Sequence, residues 1–218
     1  MKVQFSHKAF SAMPIVGILR GFTAYEVERL IDLYLECGFT TIEITMNSEH
    51  AAALIRKIKM DFGSRLNVGA GTVRSIQELQ EALIAGAEFI VTPIVHAQVI
   101  STCVAQGIPI FPGAYTPSEV YTAWSLGATA VKIFPAEVGG LTHIKAIRAP
   151  LEMIPLLPTG GVGPDNLGDF FDAGVVGIGM GSHLFPRNAV KKGDWNLVKN
   201  QMMQVINAYN LWLENRAT

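Results

Sequence analysis

Three features of the sequence predict an α/β fold, a single (β/α)8 barrel of the TIM type with an additional C-terminal helix. Eight short apolar runs alternate with segments that have the 3.6-residue apolar spacing of helices. Glycines end most of those segments at intervals of about 20 to 25 residues, as expected of a repeated helix–strand unit. A chain of 218 residues is long enough for eight such units. An open doubly wound sheet is the alternative that the same alternation permits.

The predicted strands are apolar runs bounded by glycine, proline or polar turn residues. Because helical segments separate successive runs, the strands are expected to pair in parallel. The eight runs span residues 15–21, 41–47, 67–73, 89–95, 108–114, 130–136, 153–161 and 175–182.

Capping residues mark where the predicted helices begin, and glycines mark where they end. Thr23, Ser75 and Asp165 each open a helical segment and carry a side-chain oxygen that can accept a hydrogen bond from the first turn. The segment from Asp194 to Arg216 is predicted to form one long closing helix, and residues 1–218 are predicted to form one domain. The glycines predicted to end helices are Gly38, Gly63, Gly86, Gly107, Gly127 and Gly174.

The composition excludes several classes of protein. Half of the residues are apolar and 16% are charged, which supports one large buried core and argues against disorder. Lys plus Arg number 17 against 18 for Asp plus Glu, so the chain lacks the basic surface of a nucleic-acid-binding protein. No apolar stretch approaches the length of a membrane span, and Pro14 interrupts the N-terminal apolar run. Cys37 and Cys103 cannot form a disulfide framework, so we expect a cytoplasmic protein. The charge balance and the short apolar stretches predict no nucleic-acid or membrane partner.

Two charged residues interrupt predicted core strands. Glu43 lies between isoleucines in the second run, and Lys132 lies between Val131 and Ile133 in the sixth. Because side chains alternate along a strand, the apolar neighbours face the helices and place Glu43 and Lys132 in the barrel interior. A structural ion pair is one explanation. Both residues, however, lie in the middle or later part of their strands, towards the end where barrels carry their chemistry.

This pair predicts Schiff-base chemistry. A desolvated lysine has a lowered pKa and therefore a reactive neutral amine, which can attack a ketone. A neighbouring glutamate can carry protons through carbinolamine formation, dehydration and cleavage of a carbon–carbon bond. Because the iminium accepts the electron pair, no metal and no cofactor are expected. The five histidines are scattered without metal-ligand spacing, which agrees with that expectation.

Two glycine-rich turns follow the last two predicted strands. Gly160 and Gly161 end the seventh run, and Gly181 precedes Ser182 at the end of the eighth. Barrels commonly bind phosphate at this position, because backbone N–H groups point at the anion and glycine permits close approach. Tight strand-to-helix corners without a ligand are the alternative interpretation.

Six motifs occur in order along nearly the whole chain: EIT at 43–45, GAGT at 69–72, TP at 92–93, FPG at 111–113, KIFPAE at 132–137 and TGG at 159–161. Together they closely resemble the 2-keto-3-deoxy-6-phosphogluconate (KDPG) aldolase family, which includes 2-keto-3-deoxy-6-phosphogalactonate (KDPGal) and 4-hydroxy-2-oxoglutarate (KHG) aldolases. The resemblance implies a class I, homotrimeric TIM-barrel aldolase. Such an enzyme cleaves a phosphorylated 2-keto-3-deoxy sugar acid into pyruvate and glyceraldehyde 3-phosphate.

The resemblance also implies a role for each matching residue. Lys132 matches the Schiff-base lysine, and Glu43 matches the general acid/base. Thr72 matches a contact to the pyruvyl part of the substrate, while Pro93 and Phe134 match residues that shape the pocket. The residues that match the phosphate site are Gly160, Gly161, Gly181 and Ser182.

One departure from the gluconate pattern concerns the substrate carboxylate. Gluconate-type enzymes have an arginine at the position where this chain has Asn47. The galactonate branch resembles this chain, with an Asn-Ser pair there and an Ile-Leu-Arg-Gly sequence after the first strand. Arg20, the arginine of that sequence, is therefore expected to replace the missing one. Thr159 instead matches the gluconate type, and the balance favours the galactonate epimer.

Two other functions fit part of the pattern. A phosphate-binding isomerase or epimerase would use Glu43 as its base but would leave Lys132 without a covalent role. A non-catalytic barrel that binds a phosphorylated ligand would have little reason to bury both charged residues.

Overall fold

A computed structural model defines the structure of residues 5–217, in which strands and helices alternate along the chain. The strands are β1 (Ile15–Leu19), β2 (Thr41–Thr45), β3 (Asn67–Gly71), β4 (Ile90–Val91), β5 (Ile110–Phe111), β6 (Gly113–Ala114), β7 (Val131–Ile133), β8 (Leu156–Pro158) and β9 (Ile178–Met180). The helices are α1 (His7–Ala12), α2 (Ala24–Glu36), α3 (Ala51–Phe62), α4 (Ile76–Ala85), α5 (Ala97–Ala105), α6 (Pro117–Ser125), α7 (Ala136–Arg148), α8 (Leu167–Asp172), α9 (Arg187–Lys192) and α10 (Trp195–Ala217). None of these helices combines the length and the apolar character that a membrane span requires.

The strands pair in parallel and form a curled sheet in two hydrogen-bonded parts. One part has six strands in the order β5-β4-β3-β2-β1-β9, and the other has three in the order β6-β7-β8. The strands β5 and β6 belong to one predicted run and are separated by Pro112, whose carbonyl accepts a hydrogen bond from Lys132 N (2.9 Å). Thr159 and Gly179 form a parallel bridge between the end of β8 and β9.

Most of the predicted elements are present where the sequence places them. Each of the eight apolar runs contains a strand, and the prediction of parallel pairing is confirmed. The closing helix predicted from Asp194 to Arg216 is α10. Thr23 caps α2 by accepting a hydrogen bond from Glu26 N, and Ser75 caps α4 in the same way.

One predicted helix start differs from the structure, and one glycine ends its helix without the left-handed conformation typical of such glycines. Asp165 does not cap a helix, because α8 begins one residue later, after Asn166, whose side chain accepts a hydrogen bond from Gly163 N (2.9 Å). Gly63 ends α3 with a right-handed φ of −61° and not in the left-handed conformation. The chain there continues into a further turn closed by Arg65 N and the Phe62 carbonyl (2.8 Å), so no reversal of handedness is needed.

The main core lies between the sheet and the surrounding helices. Ile42, Ile44, Val131 and Ile133 are fully or almost fully buried in it. The apolar neighbours of Glu43 and Lys132 therefore face the helices, as the alternation predicts.

A second, aromatic cluster joins residues that precede β1 to residues in or beside β1, β4, β5, β7 and β8. Phe5 and Phe10, which precede β1, contact Phe89 and Phe111 with ring centroids 5.4 and 6.0 Å apart. Gly69 leaves room for the Phe89 ring, since a side chain there would overlap it. The cluster consists of Phe5, Phe10, Val16, Phe89, Val91, Phe111, Ala130 and Leu157.

A buried ion pair supports β3, the strand that neighbours β2 and Glu43. Lys59 Nζ of α3 lies 2.6 Å from Glu88 Oε1, and the Glu88 side chain is 2% exposed. The second carboxylate oxygen of Glu88 accepts a hydrogen bond from Val68 N in β3 (2.9 Å).

We expect Lys59→Met to destabilise the protein by about 2–3 kcal/mol, because it leaves a buried carboxylate without its cation. Urea unfolding measures the change. Lys57→Met is the matched control, since Lys57 pairs with Asp61 on the exposed side of the same helix (2.9 Å). Equal losses in the two variants would show that the pair contributes no more than a surface contact.

Candidate active site

A cavity of about 410 Å3 opens among the residues that follow the strands, a volume typical of small-molecule sites. The carboxyl ends of β1, β7, β8 and β9 surround it. Most of the residues expected in the site line this cavity. They are Arg20, Lys132, Phe134, Thr159, Gly160, Gly161, Gly181 and Ser182.

Lys132 and Glu43 are both buried, as their strand positions predict. Lys132 is the middle residue of β7, between β6 and β8, and Glu43 is the middle residue of β2, between β1 and β3. Only 4% of Lys132 and 1% of Glu43 is exposed. Lys132 Nζ also lies 5.0 Å from the centre of the Phe134 ring, which favours a cation over its face.

Burial has the largest effect on the pKa values of Glu43 and Lys132. It raises the pKa of the Glu43 carboxyl and lowers the pKa of the Lys132 ammonium, because the interior solvates charge poorly. The Lys132 charge lowers the pKa of Glu43 and the Glu43 charge raises the pKa of Lys132, so each opposes the effect of burial. The Arg20 guanidinium lowers the pKa of both groups. The lysine is therefore held closer to its neutral, nucleophilic form than an exposed lysine is.

The two groups interact through their charges without direct contact. Within residues 5–217, Glu43 Oε1 is buried and has no hydrogen-bond partner. Gly71 of β3 leaves room for this carboxylate, since a side-chain carbon there would lie 2.5 Å from Glu43 Cδ. A buried polar atom without a partner is costly and is typical of a site where a ligand completes the hydrogen bonding.

Arg20 lies at the end of β1 and reaches towards the end of β3. Its Nη2 donates to Thr72 Oγ1 at 3.4 Å. The Thr72 backbone is left-handed, with a φ of 55°, which costs a residue other than glycine about 1–3 kcal/mol. Arg20 and Thr72, both expected at the pyruvyl end of the substrate, are thus adjacent.

The loop that carries Arg20 is held on two sides. Gly21 N donates to Ser48 Oγ (2.9 Å), which is hydrogen-bonded to Thr45 Oγ1. On the other side, the Arg187 guanidinium donates to the Arg20 carbonyl. Gly21 has a φ of 66°, and a side chain there would meet Arg187 Nη2 at 2.9 Å. Glycine at this position therefore permits both the turn and the approach of the arginine.

The first glycine turn is exposed to the cavity and packs against Glu137. Gly160 and Gly161 have φ values of 97° and 72°, which favour glycine. A side-chain carbon on Gly161 would lie 2.5 Å from Glu137 Cβ, and one on Gly160 would overlap the carboxylate itself. The second turn, Gly181 and Ser182, also lines the cavity. Two stretches of accessible backbone thus meet at this end of the site.

Thr159 presents a hydroxyl group beside the first turn. The residue is 5% exposed, and its Oγ1 is buried without a hydrogen-bond partner in residues 5–217. Gly179 on β9 leaves the space that this side chain occupies. Because Thr159 lines the cavity, its hydroxyl is available to a ligand there.

Four of the expected site residues do not line the cavity: Glu43, Asn47, Thr72 and Pro93. Asn47 is exposed and does not line the cavity, because the chain turns directly after β2, with Ser48 N bonded to the Thr45 carbonyl (2.9 Å). Pro93 lines a neighbouring groove of about 480 Å3, which shares Phe134 with the cavity.

The cavity wall also includes residues that the sequence does not single out for this site. Phe22, Glu137, His183 and Arg187 line it. Arg187 is the first residue of α9 and follows the last glycine turn. Its place after that turn is a signal that could have identified it.

The charges around the cavity suit an anionic ligand that carries a carbonyl group. Arg20, Lys132 and Arg187 contribute three positive groups, and Lys132 is in addition a candidate nucleophile. In the part of the chain that the structure describes, no set of three His, Cys, Asp or Glu side chains could hold a metal ion together.

Comparison with known proteins identifies relatives along nearly the whole chain. Residues 7–201 match the family model described as "Aldolase: KDPG and KHG aldolase". The chain is 37% identical over 174 residues to the 2-dehydro-3-deoxy-6-phosphogalactonate aldolase of Escherichia coli strain K12. That match covers 79% of this chain and 85% of the relative.

Solved structures of similar fold agree. A structure described as native KDPGal superposes with a TM-score of 0.86 at 33% identity and covers 97% of this chain and 99% of its own. The KDPG aldolase from Legionella pneumophila, with pyruvate captured as a covalent carbinolamine intermediate, has a TM-score of 0.83 at 26% identity. It covers 90% of this chain and 96% of its own.

Proposed function

Because the chain belongs to the KDPG and KHG aldolase family of carbon–carbon lyases, we propose that it is a class I aldolase whose Schiff-base lysine is Lys132. Its substrate is a 2-keto-3-deoxy-6-phospho sugar acid, and its products are pyruvate and glyceraldehyde 3-phosphate. The observation that carries the proposal is the buried Lys132–Glu43 pair beside an open cavity, with a carboxylate oxygen that lacks a partner in residues 5–217. The carbinolamine of the Legionella relative supports covalent catalysis by an amine.

The first half of the proposed reaction builds the iminium. The neutral amine of Lys132 attacks the C2 ketone, and a proton moves from its nitrogen to the carbonyl oxygen to give a neutral carbinolamine. Glu43 then donates a proton to the C2 hydroxyl, which leaves as water. The nitrogen lone pair forms the C=N bond, and the positive charge now lies next to C3.

The second half of the proposed reaction cleaves the C3–C4 bond and releases the two products. A base removes the proton of the C4 hydroxyl, the C3–C4 bond breaks, and its electron pair moves through C3 into the iminium to give an enamine. Glyceraldehyde 3-phosphate leaves as the aldehyde. Protonation of C3 restores an iminium, and water hydrolyses it to pyruvate and free Lys132. Glu43 carries protons in both directions, for which a carboxyl with a raised pKa is suited.

The two ends of the substrate are assigned to different walls. Arg20, beside Thr72, holds the carboxylate of the pyruvyl end, because a guanidinium offers two parallel donors to a carboxylate. Gly160, Gly161, Gly181 and Ser182 hold the phosphate with backbone N–H groups. Lys132 lies in the same cavity and reaches the carbonyl group between those ends.

We propose that the galactonate epimer is the preferred substrate. Support comes from Arg20 in the position of the galactonate pattern and from the KDPGal relatives at 37% and 33% identity. The buried hydroxyl of Thr159 is the group that would read the C4 configuration, since discrimination between epimers needs a hydrogen bond to the correct hydroxyl.

The test is pyruvate release from each 6-phosphate epimer, coupled to lactate dehydrogenase, in the presence of a chelator. We expect cleavage of the galactonate compound in preference to the gluconate compound. The reverse preference would keep the aldolase and overturn the epimer assignment. Absence of cleavage with both would overturn the function and favour the isomerase or the ligand-binding barrel.

Arg20→Met is expected to raise KM for the substrate by roughly 10- to 100-fold with a smaller effect on kcat, because a charge-assisted hydrogen bond to the carboxylate is lost. Steady-state kinetics with the preferred epimer measure the change. Arg56→Met removes an exposed arginine of α3 and controls for the loss of one positive charge. An unchanged KM in the Arg20 variant would assign carboxylate binding to another residue.

The proposal extends to architecture and setting. Residues 1–218 form one domain, a closed (β/α)8 barrel, which the Thr159–Gly179 bridge and the bond from Val176 N to the Leu156 carbonyl (3.0 Å) support. The protein acts in the cytoplasm, in keeping with buried and unpaired Cys37 and Cys103. Its homotrimeric state rests on the family resemblance.

A further inference from the structure

We propose that Arg187 is a specificity-determining residue that binds the phosphate group of the substrate through its guanidinium. The proposal rests on the aldolase function above and names a further residue for it. Arg187 begins α9 and lines the cavity together with Gly181 and Ser182, the second glycine turn. It lies in the short segment that follows β9, next to the backbone assigned to the phosphate.

The guanidinium is held in place by neutral groups. It lies 5.4 Å from the centre of the Phe22 ring and donates to the Arg20 carbonyl. No carboxylate pairs with it within residues 5–217. A guanidinium has five N–H donors, so most of them remain free for an anion, and the fixed orientation lowers the entropy lost on binding.

The two arginines serve different ends of the cavity. Arg20 is bonded to Thr72 near the end of β3, whereas Arg187 lies at the second glycine turn after β9. A substrate with a carboxylate at one end and a phosphate at the other places one anion at each arginine. A cation is also needed at the phosphate end, because the Glu137 carboxylate lies against Gly160 and opposes an incoming anion.

The test compares a phosphorylated substrate with the same 2-keto-3-deoxy acid lacking its phosphate. For Arg187→Met we expect KM for the phosphorylated substrate to rise roughly 10- to 100-fold, the loss typical of hydrogen bonds to a charged group. We expect kcat/KM for the unphosphorylated acid to fall much less, because with that substrate only the support that Arg187 gives to the Arg20 loop is lost. Arg187→Lys should recover part of the loss, since lysine keeps the charge without the fork. Arg56→Met, on α3, is the matched control.

Two results of the kinetic comparison would overturn the proposal. Equal losses on both substrates would show that Arg187 only positions the Arg20 loop, and an unchanged KM for the phosphorylated substrate would show no phosphate contact. Calorimetric titration with inorganic phosphate gives a readout that does not depend on turnover. Weaker phosphate binding by Arg187→Met than by the unmodified protein supports the proposal even if neither sugar acid is cleaved. Equal phosphate binding by the two proteins contradicts it.

Discussion

Lys132→Met is expected to abolish pyruvate release, lowering kcat by more than about 10⁴-fold, the scale of loss when a catalytic nucleophile is removed. The variant retains the cavity but has no amine to attack the ketone. Borohydride reduction in the presence of pyruvate should attach one reduced pyruvyl group to the unmodified protein, and peptide mass mapping should place it on Lys132. The variant should gain no such group.

The fold should survive this change. Methionine is close in volume to lysine, and the raised pKa of the Glu43 carboxyl lets it take up a proton once the ammonium is removed. A melting temperature close to that of the unmodified protein would confirm this. Lys145→Met is the control, because Lys145 lies on the exposed side of the adjacent helix α7. Residual turnover in Lys132→Met, or a pyruvyl group on another lysine, would contradict the Schiff-base assignment.

Glu43→Gln should lower kcat by about 10²- to 10⁴-fold, because glutamine keeps the shape and cannot carry a proton. The effect should fall on the proton-transfer steps. Borohydride trapping should therefore still mark Lys132, though more slowly, while exchange of the pyruvate methyl protons with deuterated water should fall with kcat. The part of the acidic limb of the kcat/KM profile that comes from Glu43, which its raised pKa places above the range of an ordinary glutamate, should disappear. The part that comes from protonation of Lys132 should remain.

Glu152→Gln is the matched control, since Glu152 is exposed and does not line the cavity. Normal methyl exchange in Glu43→Gln would assign the proton transfers to another group. Loss of trapping together with loss of fold would instead show that the carboxylate is needed for structure.

The sequence predicts the residues inside the site better than the residues at its edge. Glu43 and Lys132 could be predicted because strand alternation leaves a buried residue only two faces, and apolar neighbours occupied one of them. The first glycine turn could be predicted because the positive φ values of Gly160 and Gly161 favour glycine. The exposed position of Asn47 outside the cavity wall could not be predicted, because the turn that carries it there depends on a hydrogen bond between Ser48 N and the Thr45 carbonyl.

Arg187 also lies at the edge of the site, and its position is hard to predict from the sequence. Its place after the last glycine turn is a local signal, but that signal alone does not distinguish it from a solvated arginine at the start of a short helix. Its place in the wall depends on Phe22 and the Arg20 carbonyl, which are more than 160 residues away in the chain, as the separation of 167 between the two arginines shows. Contacts of that range are set by the fold and not by any periodic pattern.

The aromatic cluster of Phe5, Phe10, Phe89 and Phe111 has a kinetic consequence. It packs residues that precede β1 against β1, β4, β5 and β8, whereas the cavity lined by Lys132 opens among the residues that follow the strands. Traffic to Lys132 is therefore expected to pass through the carboxyl ends, where the glycine turns lie. In the proposed reaction the aldehyde is held near that opening, while the pyruvyl fragment is still bonded to the lysine. We therefore expect an ordered uni-bi scheme, in which glyceraldehyde 3-phosphate departs first and pyruvate alone inhibits competitively against the sugar acid.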